Sequence, residues 1–156
     1  SNGARAMNSA IVFDMRYPIH EKVLQESRIS GVVGDMFRAG SDVIFSTDTE
    51  ICEQALRDAK AERKYVVCID EPNSAADTNR LLTYSVKRYD LALLDVVRIF
   101  RHNQWRAGTI SLGVSGGYID YALDQDNIDL FPKDSLDKIE GIKDYISQGL
   151  LLRKPQ

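Results

Sequence analysis

Gly40-Ser41-Asp42-Val43-Ile44-Phe45 decides the fold, because it is a short apolar strand that follows a helix-ending glycine. Further along, Cys68-Ile69-Asp70-Glu71 closes a second apolar strand with two carboxylates. Leu82-Thr83-Tyr84-Ser85-Val86-Lys87-Arg88-Tyr89-Asp90 is a third strand, and it runs directly into a helix. Because strands that alternate with helices pack side by side, the sequence predicts an α/β fold with a mainly parallel sheet flanked by helices.

The segments around these stretches predict the remaining elements. Apolar residues recur at helical spacing from His20 to Arg38, and Gly40 is well placed to end that helix. The predicted strands are Ala10 to Met15, Asp42 to Ser46, Tyr65 to Ile69 and Leu81 to Val86. Two later helices are predicted from Leu91 to Phe100 and from Ser135 to Ser147.

Two local motifs predict how elements begin or turn. Thr47-Asp48-Thr49-Glu50 matches a capping box, in which the threonine and the glutamate each accept a hydrogen bond from an unpaired amide at a helix start. Thr109 to Val114 and Tyr118 to Leu123 are joined by Ser115-Gly116-Gly117, and glycines supply the positive φ of tight turns. The second motif predicts a C-terminal β-hairpin ahead of the last helix.

Size and composition indicate one globular domain over residues 1–156. Hydrophobic residues at 44% and charged residues at 28% are typical of a chain that folds around a core. The formal charge of −3 offers no electrostatic basis for binding nucleic acid or an anionic membrane. No apolar run approaches the roughly 20 residues that span a bilayer.

The cysteines and histidines do not suggest a metal centre. Cys52 lies on the apolar side of a predicted helix and Cys68 lies within a predicted strand, so both are interpreted as small buried hydrophobes. A disulfide between them stays open as the alternative. His20 and His102 are too few and too far apart in sequence for a metal cluster, and no cofactor is expected.

Polar residues follow three of the predicted strands, at the edge where parallel sheets bind ligands. Asp70 is the best candidate, because one carboxylate can accept two hydroxyl hydrogen bonds from a ribose diol; otherwise it caps a loop or pairs with a cation. Lys87 can donate to a nucleobase or hold Asp70, or it is simply solvated. Tyr17 can stack on a base. Thr47, after Ser46, is either a helix cap or a ligand contact.

Catalytic motifs are missing from the sequence. It contains no glycine-rich phosphate loop, and Ser115-Gly116-Gly117 has the pattern of a turn rather than that of a nucleophile elbow. Asp70 and Glu71 are adjacent, so on a strand they would point to opposite sides and would not act as an acid/base pair. We therefore expect a binding protein with no catalytic residues rather than an enzyme.

The three strand stretches, in this order and spacing, resemble the ligand-binding half of the basic membrane lipoprotein family. The predicted hairpin and Phe131-Pro132-Lys133 with its following helix resemble the C-terminal pattern of that family. The resemblance runs from about Gly3 to Leu152 and covers about the latter half of a typical member. It implies one lobe of a type I periplasmic-binding-protein-like fold that ends in a β-hairpin and a helix.

The resemblance also implies a function and a location. Several members of this family capture purine nucleosides for an ABC importer, and they do so as lipoproteins on the outer face of a bacterial membrane. By the resemblance, Asp70 binds ribose hydroxyls, Lys87 lines the cleft, and the loop from Ser46 to Glu50 faces the ligand. The expected ligand-binding residues are Asp70, Lys87, Tyr17, Ser46 and Thr47, and an ABC permease is the expected partner.

Two further expectations follow from comparison with the family pattern. The first lobe would cover the helix from Leu91 to Phe100, so here Leu94, Val97 and Phe100 are expected to be covered by a second copy or by rearranged local packing. Family members carry a glycine-rich stretch where this chain has Thr47-Asp48-Thr49-Glu50. The alternative function is therefore a regulatory or protein-interaction module of the same fold with a degenerate ligand site, which would be cytoplasmic.

Overall fold

The structure is a computed structural model that describes residues 4–5, 8–16, 26–73 and 78–149. Its helices and strands are α1 Glu26–Arg38, β1 Val43–Ser46, α2 Thr49–Glu62, β2 Tyr65–Cys68, β3 Leu81–Lys87, α3 Tyr89–Arg101, β4 Ile119–Tyr121 and α4 Lys133–Ser147. Short 3₁₀ turns lie at Thr78–Arg80, Val114–Gly116 and Ile128–Leu130. Among these helices, none is both long and apolar enough to cross a membrane.

The strands form one sheet in the order β1-β2-β3-β4. The first three strands are parallel and β4 is antiparallel to β3, so the predicted α/β class with a mainly parallel sheet is confirmed. Cys68 lies opposite Ser46 on one side and Tyr84 on the other. The carboxyl ends of the three parallel strands therefore lie at a common edge of the sheet.

The core lies between one face of this sheet and the helices α1 and α2. Its buried side chains are Ile29, Val33 and Phe37 of α1, Cys52, Ala55, Leu56 and Ala59 of α2, and Ile44, Val66, Cys68 and Leu81 of the strands. Ala55 and Ala59 are fully buried, and these small side chains let α2 lie close to the sheet. Burying one large aliphatic side chain contributes about 1.5–3 kcal/mol, so this layer stabilises the fold.

The opposite face of the sheet and the later helices are far more exposed. On β1, Ile44 is 3% exposed whereas Phe45, one residue later, is 60% exposed, as expected for a strand that is packed on one face. Neither α3 nor α4 contains a buried residue. The molecule therefore consists of a buried layer in which α1 and α2 cover the sheet, followed by helices that lie near the surface.

Two predicted strands do not form. Residues 10–15 are exposed and contain no strand, and Val12 is 91% exposed. Residues 109–113 also contain no strand, so the predicted hairpin is wrong. Its second arm instead forms β4, in which Asp120 lies opposite Val86 of β3. Apolar composition favours a strand but does not provide its partner, and β3 already offers an open edge to β4.

The helix boundaries agree with the predictions to within two residues where the structure describes them. Gly40 follows α1 with φ +100°, and its amide donates to the carbonyl of Phe37 over 3.0 Å, as expected for a helix-ending glycine. The predicted beginning of that helix, at His20, lies outside the described residues. α3 and α4 each begin two residues earlier than predicted.

Cys52 and Cys68 form a disulfide, contrary to the interpretation of both as unbridged buried hydrophobes. Their Cα atoms are 5.8 Å apart, which is a normal separation for a bridge, and both side chains are 1% exposed. Each residue is as buried as predicted, but the pairing depends on α2 crossing the end of β2, which the sequence spacing does not reveal.

Candidate functional site

The candidate site lies at the carboxyl ends of the parallel strands. Ser46 is the last residue of β1, Lys87 is the last residue of β3, and Asp70 lies two residues beyond β2. Because these strands are parallel and adjacent, the fold brings their ends to one edge of the sheet. This is the edge at which open α/β sheets bind ligands.

Asp70 and Lys87 are in direct contact at this edge. Nζ of Lys87 donates a hydrogen bond to Oδ1 of Asp70, and the two groups form an ion pair. This hydrogen bond raises the pKa of Lys87, so the amine stays protonated at neutral pH. The side chains are 45% exposed for Asp70 and 36% exposed for Lys87, so both remain accessible to a solute. The sequence alternative in which Lys87 holds Asp70 is the arrangement that the structure contains.

The loop that carries Asp70 is anchored on both sides. The amide of Ile69 donates to the carbonyl of Ser46 over 3.0 Å, and the amide of Asn73 donates to Oε1 of Glu53 over 3.2 Å. The disulfide of Cys68 adds a covalent anchor immediately before this loop. Such anchoring positions a binding carboxylate before a ligand arrives, which lowers the ordering cost of binding.

Ser46 and Thr47 have different surroundings. Ser46 is 4% exposed, and its hydroxyl donates to the carbonyl of Asp48 over 2.8 Å and accepts from the amide of Asp48 over 3.2 Å. That hydroxyl therefore stabilises the turn between β1 and α2. Thr47 is exposed on the same turn. Tyr17, the fifth expected binding residue, lies outside the described residues.

The cap of α2 differs from the predicted capping box. Asp48, not Thr47, is the N-cap, and its carboxylate accepts a hydrogen bond of 3.0 Å from the amide of Ile51. The helix accordingly begins at Thr49, and Glu50 lies in its first turn. One of the acidic residues of this loop, Asp48, therefore serves to cap the helix.

Sequence reasoning missed the pairing of Glu71 with Tyr84. The pKa of Tyr84 is raised, first by burial and then by the charge of Glu71, which also hydrogen-bonds to the phenol. Tyr84 packs against the core beside Cys68, so Glu71 connects the end of β2 to β3. The glutamate after a strand end was a visible signal, but its partner depends on the register of the sheet.

A second concave region lies away from Asp70 and Lys87. It is a cleft of about 430 Å³ lined by Ala92, Asp95, Val96, Arg98, Ile99, His102, Gln104, Ile110, Leu112 and Tyr118. The hydroxyl of Tyr118 donates to Asp95 over 2.5 Å, and Arg98 pairs with the same carboxylate over 3.0 Å. These contacts lower the pKa of Asp95, and the Tyr118 hydrogen bond has the largest effect. The Arg98 pair lies within α3, whereas the Tyr118 hydrogen bond connects this helix to the segment before β4.

The described segments bring no three histidine, cysteine, aspartate or glutamate side chains together in an arrangement that could hold a metal ion. The expected absence of a cofactor remains a prediction.

Comparison with solved structures shows a likeness in fold. No protein-family model matches this chain, and no curated protein matches it. The crystal structure of an ABC transporter system solute-binding protein from Aeropyrum pernix K1 is similar, with a TM-score of 0.59 and 15% sequence identity. The chain has a periplasmic-binding-protein-like fold. The likeness covers 80% of this chain and 43% of that protein, so this chain spans less than half of its length.

Proposed function

We propose that this chain is the ligand-binding domain of a substrate-binding protein of the basic membrane lipoprotein type, which binds purine nucleosides for an ABC importer. The observation that carries the proposal is the accessible Asp70–Lys87 pair at the carboxyl edge of the parallel sheet. The fold it shares with an ABC solute-binding protein supports a ligand-binding role, and the sequence resemblance supports the nucleoside class.

Asp70 and Lys87 would have complementary roles in nucleoside binding. The carboxylate of Asp70 has two oxygens, and each can accept a hydrogen bond from one of the adjacent 2′ and 3′ hydroxyls of a ribose. Lys87 can keep its bond to Oδ1 while it directs a second proton to an acceptor on the ligand. Closure by a further lobe would exclude water from these bonds and strengthen them. The function is binding without chemical conversion.

The other three expected binding residues have supporting roles in this proposal; they are Ser46, Thr47 and Tyr17. Ser46 stabilises the turn through its bonds to Asp48, so it acts on the site by holding the loop. Thr47, which is exposed on that turn, is a rim contact. Stacking of a base on Tyr17 stays a prediction for a residue outside the described part of the chain.

A ligand titration of single variants tests this function. The wild-type chain is screened by thermal shift against inosine, guanosine and adenosine, since a ligand present at 100 times its Kd adds about 2.7 kcal/mol of stability. Asp70→Ala should remove the shift because it removes both ribose acceptors. Asp42→Ala is the matched control, since it breaks a comparable ion pair to Lys64, over 2.8 Å, next to the opposite end of β1.

The two variants give a clear outcome. If Asp70→Ala keeps the wild-type affinity, Asp70 is not the ribose-binding group and the assignment fails. If Asp42→Ala loses binding to the same degree as Asp70→Ala, the effect is a general loss of charge or stability and does not locate the site.

The disulfide supports a location outside the cytoplasm. Bridges persist in secreted and periplasmic proteins and are rare where thiols are kept reduced. Both Cys52 and Cys68 are buried, and the bridge stands beside the proposed site. The proposed location is therefore extracytoplasmic and membrane-associated, as in a lipoprotein. Thiol alkylation in denaturant at cell lysis, which exposes any buried free thiol, should leave both cysteines unlabelled; labelling at both would contradict this location.

The second candidate function is a regulatory or protein-interaction module of the same fold, located in the cytoplasm. The observation that favours it is the loop after β1, where Asp48 caps α2 and Glu50 follows, in place of the glycine-rich stretch of the family. A folded full-length protein that binds no nucleoside would favour this function.

The partners in the proposal are an ABC permease and a second copy of this chain. The homodimer was expected through Leu94, Val97 and Phe100, which are exposed by 44%, 47% and 69% in the structure. A large apolar surface of this kind is typical of an interaction site.

A further inference from the structure

The helix α3 carries an exposed apolar stripe, which we define as Tyr89, Leu93, Val97 and Phe100. These side chains are 73%, 66%, 47% and 69% exposed, respectively. Successive residues of a helix are turned by about 100°, so the four residues fall within about 80° of one another. The stripe runs along the whole of this 13-residue helix, from its first residue to its last turn.

The opposite side of α3 is the side that contacts the rest of the molecule. Ala92, Asp95 and Ile99 are partly buried and line the cleft beside Tyr118. The hydrogen bond from Tyr118 to Asp95 holds the helix in this orientation. The stripe is therefore directed away from the described part of the protein, and rotating it inward would break this contact.

The charges beside the stripe indicate which partner fits it. Asp90 lies in the first turn of α3 and Arg101 lies in the last turn. On the helical wheel they fall within about 20° of each other, on the same flank of the stripe, and about 16 Å apart along the axis. Asp90 is also bound by Arg88, whose Nε and Nη2 donate to its two oxygens over 2.9 and 2.7 Å, and its side chain is 62% exposed. One flank of α3 thus offers an exposed carboxylate at its beginning and a positive charge at its end.

We infer that the α3 stripe binds the same stripe of a second copy of this chain, with the two helices antiparallel about a two-fold axis. In that arrangement Asp90 of each copy lies opposite Arg101 of the other, which forms two equivalent ion pairs. In a parallel two-fold pair the same flanks would lie on opposite sides of the contact, so neither Asp90 nor Arg101 would meet its opposite charge. The inference makes the homodimer of the proposed function specific, rests on that part of it, and does not require nucleoside binding.

The structure also changes which residues belong to the interface. Val97 and Phe100 lie on the stripe, whereas Leu94 is turned by about 100° from its centre and lies outside it. One helix face is smaller than the roughly 800 Å² per partner of a standard interface, so we expect an association in the micromolar range.

Sedimentation velocity of the complete chain over a range of concentrations tests the interface. Phe100→Glu should weaken self-association at least tenfold, because it places a charge in the centre of the apolar contact. Tyr145→Glu is the matched control, since it adds the same charge at a comparably exposed aromatic residue on α4 rather than α3, and its association should equal that of the wild type. Circular dichroism checks that both variants are folded.

A double-mutant cycle tests the orientation of the two helices. Asp90→Ala and Arg101→Ala should each weaken the dimer, and the double variant should weaken it by clearly less than the sum of the two losses, because the two charges pair with each other across the axis. Asp90→Ala also breaks the ion pair with Arg88, but it does so in the single and in the double variant alike, so this loss does not enter the coupling. The inference is overturned if the wild type stays monomeric at the highest concentration, if Tyr145→Glu weakens association as strongly as Phe100→Glu, or if the losses of the two single variants simply add.

Nucleoside thermal shifts measured on the same variants separate this inference from the proposed ligand. A Phe100→Glu chain that is monomeric but still responds to inosine retains the ligand site and has lost only the interface. A wild-type dimer with no response to any nucleoside supports the interface and counts against the proposed ligand.

Discussion

At the scale of single residues, the start of α2 depends on which of several polar side chains acts as the cap. Thr47, Asp48 and Thr49 are all residue types that can cap a helix. The buried hydroxyl of Ser46 decides between them, because its two bonds to the backbone of Asp48 hold that residue in an extended conformation, with φ −131° and ψ 135°. The sequence motif predicts a cap in this loop, but the contact that selects Asp48 is a packing effect.

Substitution of this cap should lower stability by a measurable amount. Asp48→Ala removes the acceptor for the amide of Ile51 and should lower the free energy of unfolding by about 1 kcal/mol. Thr47→Ala, one residue earlier, removes no cap and should change it by no more than about 0.5 kcal/mol. Urea denaturation of both variants measures the difference. Equal losses would contradict the assignment of Asp48 as the cap.

Tyr121 should make stability depend on pH in the alkaline range. Burial, together with the hydrogen bond of 2.6 Å that Tyr121 donates to Glu140, raises the pKa of this phenol to about 12 from an ordinary 10.0. Because the folded state favours the neutral phenol, this contribution is fully present below pH 10 and is lost as the pH rises from about 10 to 12.

Tyr121→Phe provides the measurement. Near pH 7 the variant should be less stable by about 1 kcal/mol, because it lacks the hydrogen bond to Glu140. Between about pH 10 and 12 the difference from wild type should shrink, since phenylalanine does not ionise. Other tyrosines titrate in both proteins, so the difference isolates Tyr121. A difference that is constant up to pH 12 would contradict the raised pKa.

At the scale of elements, the sequence predicted those that are built from local pattern. The helices over α2 and α3 and the strands β1 to β3 combine apolar periodicity with clear ends, and all of them form. The strand from Ala10 to Met15 and the first arm of the hairpin have equally apolar sequences and do not form. A strand requires a partner from elsewhere in the chain, and periodicity does not specify that partner.

The candidate site shows the same division. Asp70 and Lys87 were expected at strand ends, and parallel pairing of β2 with β3 brings them into contact. The link between Glu71 and Tyr84 and the bridge between Cys52 and Cys68 were not predicted, since both depend on how elements cross in space. The ligand expected there came from family resemblance, because a carboxylate and an amine at a sheet edge do not by themselves specify a nucleoside.

The disulfide should be a major source of stability for the packed elements. It joins α2 to the end of β2 across 16 positions of sequence, and closing a loop of this size lowers the entropy of the unfolded chain. Cys52→Ala with Cys68→Ala should therefore lower the free energy of unfolding by about 3 kcal/mol. Reduced wild-type protein is the control and should lose a similar amount. Unchanged stability on reduction would mean that the bridge does not form in solution.

At the scale of the whole molecule, burial is distributed unevenly along the chain. The buried core consists mostly of residues from α1, β1, α2 and β2, whereas α3 and α4 contribute no buried side chain. Elements with few buried contacts open at a lower free energy than the core does. Backbone hydrogen exchange should therefore be slowest in α2 and β2 and markedly faster in both α3 and α4.

Protein concentration should then separate the two exposed helices. If the α3 stripe binds a second copy, exchange in α3 should slow as the concentration rises through the dimer range, because opening the helix would require dissociation. α4 is the internal control, since it also has no buried residue but lacks the stripe, and its exchange should not change with concentration. Equal slowing in both helices would indicate nonspecific association. If α3 exchanged as slowly as α2 in dilute protein, local packing within one copy would already stabilise this helix. A second copy would then not be needed to cover it.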